Sequence, residues 1–423
     1  MLLKKRNFLP LFLTQFFGAF NDNAYKLSMV TLISYHLSSS LAFSEYYQAL
    51  AGALFILPFF LLSTTAGQLA DKYDKAILIR LIKLFEVLLM GVGSFALYQG
   101  NIFLMLTILT GLGVHSTFFG TIKYAILPDH LPRHQLLSAT ALIEASTFMA
   151  ILLGTTLGAL AIDNLKPYVS KAVLIINLIA VLGLVSSWFV PSAKSHTKEL
   201  HLDWNIWKAT RTLLKDTLTN PKLSPAILAI SWFWLIGSVL ITKLPDYVHF
   251  VLGANTEVFS VFLALFSIGI ALGSLSINLL LAGEITLKHV PLSMLLLSFF
   301  AADLYFISPN PRSDLSSLLT LSSFFSGGGN VRVVLDFFLL SFCGGLFTVP
   351  LYTYLQVCSP EGTRARTIAA NNIVNSLFMV IGMLFVMILL HFSTNIAVVI
   401  LILAILNAVA ALGMKLVLYL SCV

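Results

Sequence analysis

Asp22 and Lys26 stand one helical turn apart in an otherwise apolar stretch near the amino terminus. An acid and a base at i and i+4 share a helix face, so they can neutralise each other or exchange partners with a polar group that approaches. Gln15 and Gly18 extend that face. A second acid–base pair is offered by Lys123, which with Tyr124 and Pro128 closes a later segment, and by Glu144, which shares a face with Thr140 and Thr147. Lys243, beside Pro245 and Asp246, adds a further cation, and Asn371, Asn372 and Asn375 add carboxamides, with 371 and 375 a turn apart. An ionisable group at mid-bilayer costs roughly 2.5–3.5 kcal/mol on insertion scales, so such groups persist where they pair or face a wet cavity. Their chemistry is that of binding and moving a charged solute.

Covalent chemistry has no counterpart in the chain. There is no Ser-His-Asp arrangement, no Gly-x-Ser-x-Gly and no Walker loop, so no enzyme is expected. His130 and His134 are four apart but flank Pro132 in a turn, a poor setting for zinc, and all nine His are left out of the candidate site. Cys343, Cys358 and Cys422 are too scattered for a disulfide framework or a thiolate cage. No cofactor or metal is expected.

A third group of residues fills the turn between two long apolar stretches: Gly67, Gln68, Leu69, Ala70, Asp71, Lys72, Tyr73, Asp74 and Lys75, with Arg80 following. Gly67 permits close helix approach, and Asp71 can accept from a helix amino terminus or from an Arg across the cytoplasmic face. The stretch resembles the loop signature of the major facilitator superfamily, with Lys72 in place of the first Arg and Asp74 in place of the second Gly. The resemblance implies a gating role for Gly67, Asp71, Lys72, Lys75 and Arg80. The counterpart in the second half, around Gly283, Glu284 and Lys288, is degenerate.

These residues must be positioned by membrane helices. Of 423 residues only 10% are charged and 58% are hydrophobic, too little polar surface for a soluble globule. Runs of about 20 apolar residues can each span a bilayer. Hydropathy places spans near 8–36, 46–70, 76–98, 102–127, 135–162 and 168–190, then near 224–250, 256–282, 286–307, 332–357, 366–391 and 394–418. This predicts an all-α integral membrane protein of about twelve helices, with a six-helix bundle over 1–190, a cytoplasmic linker over 191–223 and a second bundle over 224–423. In the linker, Leu200, Trp204, Trp207 and Leu214 recur near helical spacing beside Lys208, Arg211 and Lys215, which suits an interfacial helix against anionic lipid. Residues 308–331, with Ser326 before Gly327, Gly328 and Gly329, read as a flexible outer loop.

The net charge of +7 is a topology signal, not a nucleic-acid footprint. Only Lys166, Lys171, Arg312 and Arg332 fall on the outer side and Lys26, Lys123 and Lys243 within helices; the other basic residues lie inside, with both termini. No cleavable signal peptide is evident after Lys4, Lys5 and Arg6, because Asn21, Asp22, Asn23 and Lys26 interrupt the first apolar run. Shifting the chain by 230 places Tyr124, Ala139, Phe148 and Met149 on Tyr354, Ala369, Phe378 and Met379. Two parallel repeats with a substrate route between them are a transporter design.

Three stretches together resemble the lysophospholipid transporter family of the major facilitator superfamily. They are Ala19-Phe20-Asn21-Asp22-Asn23-Ala24-Tyr25-Lys26; Lys123-Tyr124-Ala125-Ile126-Leu127 with Leu142 to Thr147 and Ala150 to Gly154; and Gly344 to Leu351, Gln356 and Arg364 to Ile373. The likeness implies a monomeric carrier in the bacterial inner membrane that flips lysophospholipid, notably lysophosphatidylethanolamine, to the cytoplasmic leaflet by alternating access. By matching position it implies that Asp22, Lys123 and Glu144 contact cargo or couple to it; Lys26, Asn371 and Asn375 join them from their own chemistry, and so does Lys243, which does not align cleanly with the family's basic residue on helix seven. Asn21-Asp22-Asn23 with Lys26, and Arg364-x-Arg366 before the paired Asn, resemble most closely members fused to an acyltransferase. None of the His residues begins a His-x4-Asp motif, so reacylation is expected from another domain or a separate acyltransferase with an acyl carrier protein. A major facilitator exporter of a drug, siderophore or small metabolite is the competing expectation, since fold does not fix substrate.

Overall fold

A computed structural model describes residues 2–421, apart from 39, 167, 196, 310–317, 327, 393 and 394. Arg312, Gly327 and Cys422, named above, lie outside the described residues. The helices in chain order are α1 Leu9–Leu32, α2 Leu41–Lys72, α3 Lys75–Gln99, α4 Ile102–Ala125, α5 Leu127–His130, α6 Arg133–Leu160, α7 Ser170–Trp188, α8 Ile206–Leu218, α9 Ser224–Asp246, α10 Thr256–Leu280, α11 Val290–Ile307, α12 Leu321–Ser326, α13 Gly328–Cys358, α14 Arg364–His391 and α15 Ile396–Ser421. Twelve of these have at least 18 residues, and ten are long and apolar enough to cross a membrane. The remaining two, α1 and α3, each carry an acid and a base in mid-helix: Asp22 and Lys26, and Lys83 and Glu86.

Local chemistry sets the helix boundaries. Ser40, Asp74, Asn101, Asn205 and Asn255 each turn a side-chain oxygen onto a free amide of the first turn that follows, satisfying donors a helix start leaves over. Gly100 ends α3 in the left-handed region at φ 62°, where a side chain would be strained. Past Pro245, which removes an amide from the ladder, α9 continues as a wider π turn over Tyr247–Val251.

The stretch expected to be one loop over 308–331 is more ordered than that reading. Leu319 forms a parallel bridge with Ala254, α12 follows, and Asn330 donates to the Phe324 carbonyl at 2.6 Å. α13 starts at Gly328, four residues before the expected span.

The chain divides into two compact units. The first comprises Met1–Leu223 and Leu355–Ser376, the second Ser224–Tyr354 and Leu377–Val423. In the first, α1 is the central helix and lies against α6, α7 and α4. Ser28 donates to the Gly158 carbonyl at 2.8 Å, and Gln15 donates to Ser146 at 2.6 Å, so small and polar residues stitch α1 to α6. In the second unit, Asn407 of α15 donates to the Met294 carbonyl at 2.7 Å and to Ser298 at 2.9 Å on α11, while accepting from Trp232 of α9 at 2.9 Å. A single carboxamide thereby holds three helices where no water competes. Helix α8 rests on α2 through a 2.8 Å contact between the Thr210 and Thr64 hydroxyls. Trp204 just before it and Trp207 on it are about 70% exposed, and the neighbouring cations Lys208, Arg211 and Lys215 are exposed too.

Candidate functional site

Two polar assemblies occupy the first unit, one in mid-helix and one at the helix ends. The mid-helix assembly gathers around Asp22, which is buried and sits halfway along α1. Its pairing with Lys26, expected from the i, i+4 spacing, is not formed. The carboxylate instead accepts the Ser116 hydroxyl of α4 and lies 3.7 Å from His115 Nδ1, while Lys26 turns its ammonium toward the Phe55 ring, 6.0 Å from the centroid. The packed neighbour on α4 outcompetes the same-helix partner because it brings a donor to the carboxylate without an extended lysine chain. Among the described residues, Asp22 Oδ1 has no hydrogen-bond donor.

Lys123 and Glu144 likewise do not form an ion pair among the described residues. Glu144, almost fully buried, takes the Tyr124 hydroxyl, and the Lys123 ammonium lies 4.7 Å from the Tyr124 ring centroid. Two half-buried cations, Lys26 and Lys123, thus rest on aromatic faces rather than on carboxylates.

Sequence reasoning missed the partners that complete this assembly. Lys83 and Glu86 of α3 are fully buried and paired, and Glu86 also accepts from Asn21 Nδ2 at 2.9 Å and faces His115 Nε2 at 3.1 Å. Gly18 of α1 and Gly183 of α7 clear the space for Lys83: a Cβ at either would stand within 3.0 Å of its ammonium. The signal was present, because an i, i+3 acid–base pair in the middle of an apolar run is as telling as Asp22. His115 was set aside with the other histidines, and the structure places it at the centre.

At the helix ends, Asp71 closes α2 and meets residues nearly 300 positions away. Its oxygens accept the Ala365 amide at 3.0 Å, the Arg366 amide at 3.2 Å and Arg366 Nε at 2.9 Å. A carboxylate on the first amides of α14 satisfies orphan donors and meets the positive end of the helix dipole. Gly67, one turn before, lets α14 come close: an added Cβ would stand 2.8 Å from the Ala369 Cβ and 2.9 Å from the Arg366 Cα. Arg364 reaches Asp129 Oδ1 at 2.9 Å, and Lys75 reaches the other oxygen at 2.9 Å. Gln356 donates to Thr140 at 3.0 Å.

The remaining residues of the turn hold the first unit's own helices. Arg80 donates to the carbonyls of Trp188 and Val190 at the end of α7, and Asp74 caps α3 while accepting from Ser192 and the Ala193 amide. Burial works to raise the Asp74 pKa, but the hydrogen bonds from Ser192 and the Ala193 and Ala76 amides outweigh it and hold the carboxyl below its ordinary value. Among the described residues, Lys72 reaches only the neighbouring Tyr73 ring, at 5.9 Å. Gly283, Glu284 and Lys288 form no such latch among the described residues; Ala282 and Gly283 take positive φ in a turn after α10.

Other expected site residues lie apart. Lys243 pairs with Asp246 at 3.0 Å within the second unit and lines an apolar recess with Leu240, Tyr247 and Phe337. Asn371 is fully buried with neither amide atom hydrogen-bonded, and Asn372 donates to Thr121 at 3.5 Å. Asn375 is buried and makes polar contact of its own.

A sequence model described as Major Facilitator Superfamily matches residues 11–333. The Lysophospholipid transporter LplT of Photorhabdus laumondii is 26% identical over 277 residues, covering 64% of this chain and 65% of that protein. LplT of Yersinia pestis strain Pestoides F is 26% identical over 278 residues, covering 64% of each. The alignments therefore span just under two thirds of these relatives' length. Among solved structures, the major facilitator transporter FucP superposes with a TM-score of 0.71 at 14% identity, covering 98% of this chain and 99% of that one. The human organic anion transporter MFSD10 superposes at 0.74 with 13% identity, covering 97% and 99%. At such identities the likeness is one of fold, and the fold is that of a membrane transporter.

Proposed function

The chain belongs to the major facilitator superfamily, and from that premise we propose that this membrane transporter carries lysophospholipid, lysophosphatidylethanolamine foremost, to the cytoplasmic leaflet of a bacterial inner membrane. One observation carries the reading. A carboxylate oxygen without a donor, on Asp22, lies in the same unit as two cations, Lys26 and Lys123, that rest on aromatic rings rather than on carboxylates. A zwitterionic headgroup complements that set, its ammonium seeking Asp22 and its phosphodiester seeking the lysines. Glu144, Asn371 and Asn375 supply further polar contacts, and Lys243 a further cation, for a headgroup that must shed its water. The likeness to the two LplT proteins supports the same cargo.

The latch supplies the gating. Residues 355–376, which Asp71 and Asp129 hold, continue at both ends into helices of the second unit, so release of these pairs frees those helices to move. Alternating access needs an inner contact that forms and breaks, and charge pairs at helix ends, which can exchange each other for water, suit that task better than apolar packing. On the same reading both termini are cytoplasmic, α8 lies on the inner membrane face with Trp207 among the headgroups, and a separate acyltransferase reacylates the delivered lipid.

The test is uptake of labelled lysophosphatidylethanolamine into proteoliposomes by the wild type and by Asp22→Asn. Uptake lost in a folded, inserted variant is the expected result; undiminished uptake removes Asp22 from the cargo site.

A further inference from the structure

Asp22 is one of four titratable side chains packed together in the first unit, and the scheme above uses no other. His115 of α4 lies between two carboxylates, with Nε2 3.1 Å from Glu86 Oε2 and Nδ1 3.7 Å from Asp22 Oδ1. His115, Lys83 and Glu86 are at most 2% exposed and Asp22 is 6% exposed. A neutral imidazole has one N–H and can serve one carboxylate, turning a lone pair on the other. Only the imidazolium turns an N–H to each side, and it sets a positive charge within 4 Å of both carboxylates although neither contact is a formed hydrogen bond.

Charge makes the same demand. Asp22 and Glu86 bring two negative charges and Lys83 one positive, so a neutral ring leaves a net negative charge in the apolar interior and a protonated ring leaves none. No other group on the packed elements settles this balance. α1 presents Asp22, with Lys26 a turn further on, and α3 presents Lys83 and Glu86. α2 bears its charges, Glu45, Asp71 and Lys72, toward its ends, and α5 has Asp129 and His130 at the far end of α4. On α4 itself Lys123, two turns away, also interacts electrostatically with Asp22, and the Glu144 carboxylate beside it offsets its charge.

We infer that His115 is a proton-binding site, an imidazolium bridging Glu86 and Asp22, which gives up one proton when Asp22 takes another cation. The proton on Nδ1 leaves to water, the ring keeps its Nε2 hydrogen toward Glu86, and the incoming cation replaces the lost positive charge. The proton site stands on the cluster alone; that the incoming cation is the ammonium of a lysolipid rests on the function proposed above.

The full-length chain, labelled with 15N at the histidine rings and placed in lipid nanodiscs, tests the site without any cargo. The resonances that vanish in His115→Gln, or that shift in Phe119→Leu, which removes the ring stacked on His115, belong to this side chain. Protons on both ring nitrogens at pH 7 are expected, and a ring with a single proton overturns the site. Lysophosphatidylethanolamine is then added in weakly buffered solution. Release of about one proton per bound lipid, absent in His115→Gln, is expected from the charge exchange at Asp22. Lipid binding without proton release overturns the exchange, whereas failure of lipid to bind counts against the proposed cargo and leaves the ring measurement to decide the site.

Discussion

Arg364 donates to Oδ1 of Asp129 at 2.9 Å, joining residues 235 positions apart through side chains that are each less than a tenth exposed. Lys75 occupies the other oxygen at the same distance, so one carboxylate serves two cations. Removing it leaves both cations buried without an anion, which in soluble proteins costs about 3–5 kcal/mol. Asp129→Asn is therefore expected to lower the thermal unfolding midpoint more than Arg366→Ala, whose guanidinium is a quarter exposed. Melting curves of the two variants in the same detergent make the comparison.

Gly67 tests the close approach of α2 and α14. A methyl group there meets the Ala369 Cβ and the Arg366 Cα at under 3 Å, so something must shift. Gly67→Ala is expected to destabilise by about 1–3 kcal/mol, the usual range for overpacking, and Gly52→Ala, where an added Cβ meets nothing within 4 Å, to change little. Thermal unfolding and transport rate are measured on both.

The Lys83–Glu86 pair is fully buried, so its members are expected to be strongly coupled. Lys83→Met alone leaves Glu86 and Asp22 with too little positive charge, and Glu86→Gln alone leaves Lys83 without its anion. The double variant is expected to be more stable than the two single losses predict by about 1–3 kcal/mol in a double-mutant cycle. Additive losses would mean that the pair is not a unit.

Asp74 supplies a pH dependence outside the membrane. Its folded-state pKa is lowered, so its contribution is present above the ordinary aspartate value and is lost as pH falls through the folded value. Asp74→Ala is expected to cost about 1 kcal/mol, chiefly the loss of an N-cap, and to make unfolding less sensitive to pH on the acid side. Unfolding midpoints of both proteins across pH 3–6 check the sign.

Much of this architecture was legible because a membrane helix announces itself by length and apolarity, and because Asp22 and Glu144 interrupt runs that should carry no charge. The Gly67 to Arg80 turn stood out by its residue types as a place for close helix approach and charge pairing. Its partners did not: Asp129 reads as a residue of an ordinary turn, and only the folded chain brings Arg364 to it. The local pairings inferred from spacing failed for a common reason. Spacing along one helix ranks Lys26 first for Asp22, but in a packed bundle the hydroxyl of Ser116 and the ring of His115 arrive from α4 at the same level. Tyr124 displaced Lys123 at Glu144 in the same way. Lys83, Glu86 and His115 were overlooked although each sits in mid-helix, where the argument made for Asp22 applies equally.

Movement of a single-chain zwitterionic phospholipid is the activity proposed for this carrier. Purified wild-type protein in proteoliposomes, offered fluorescent lysophosphatidylethanolamine and its diacyl counterpart, tests it most directly. Protein-dependent movement of the lysolipid well above that of the diacyl lipid is expected; equal movement of both, or of neither while a small hydrophilic metabolite crosses, would rule that cargo out.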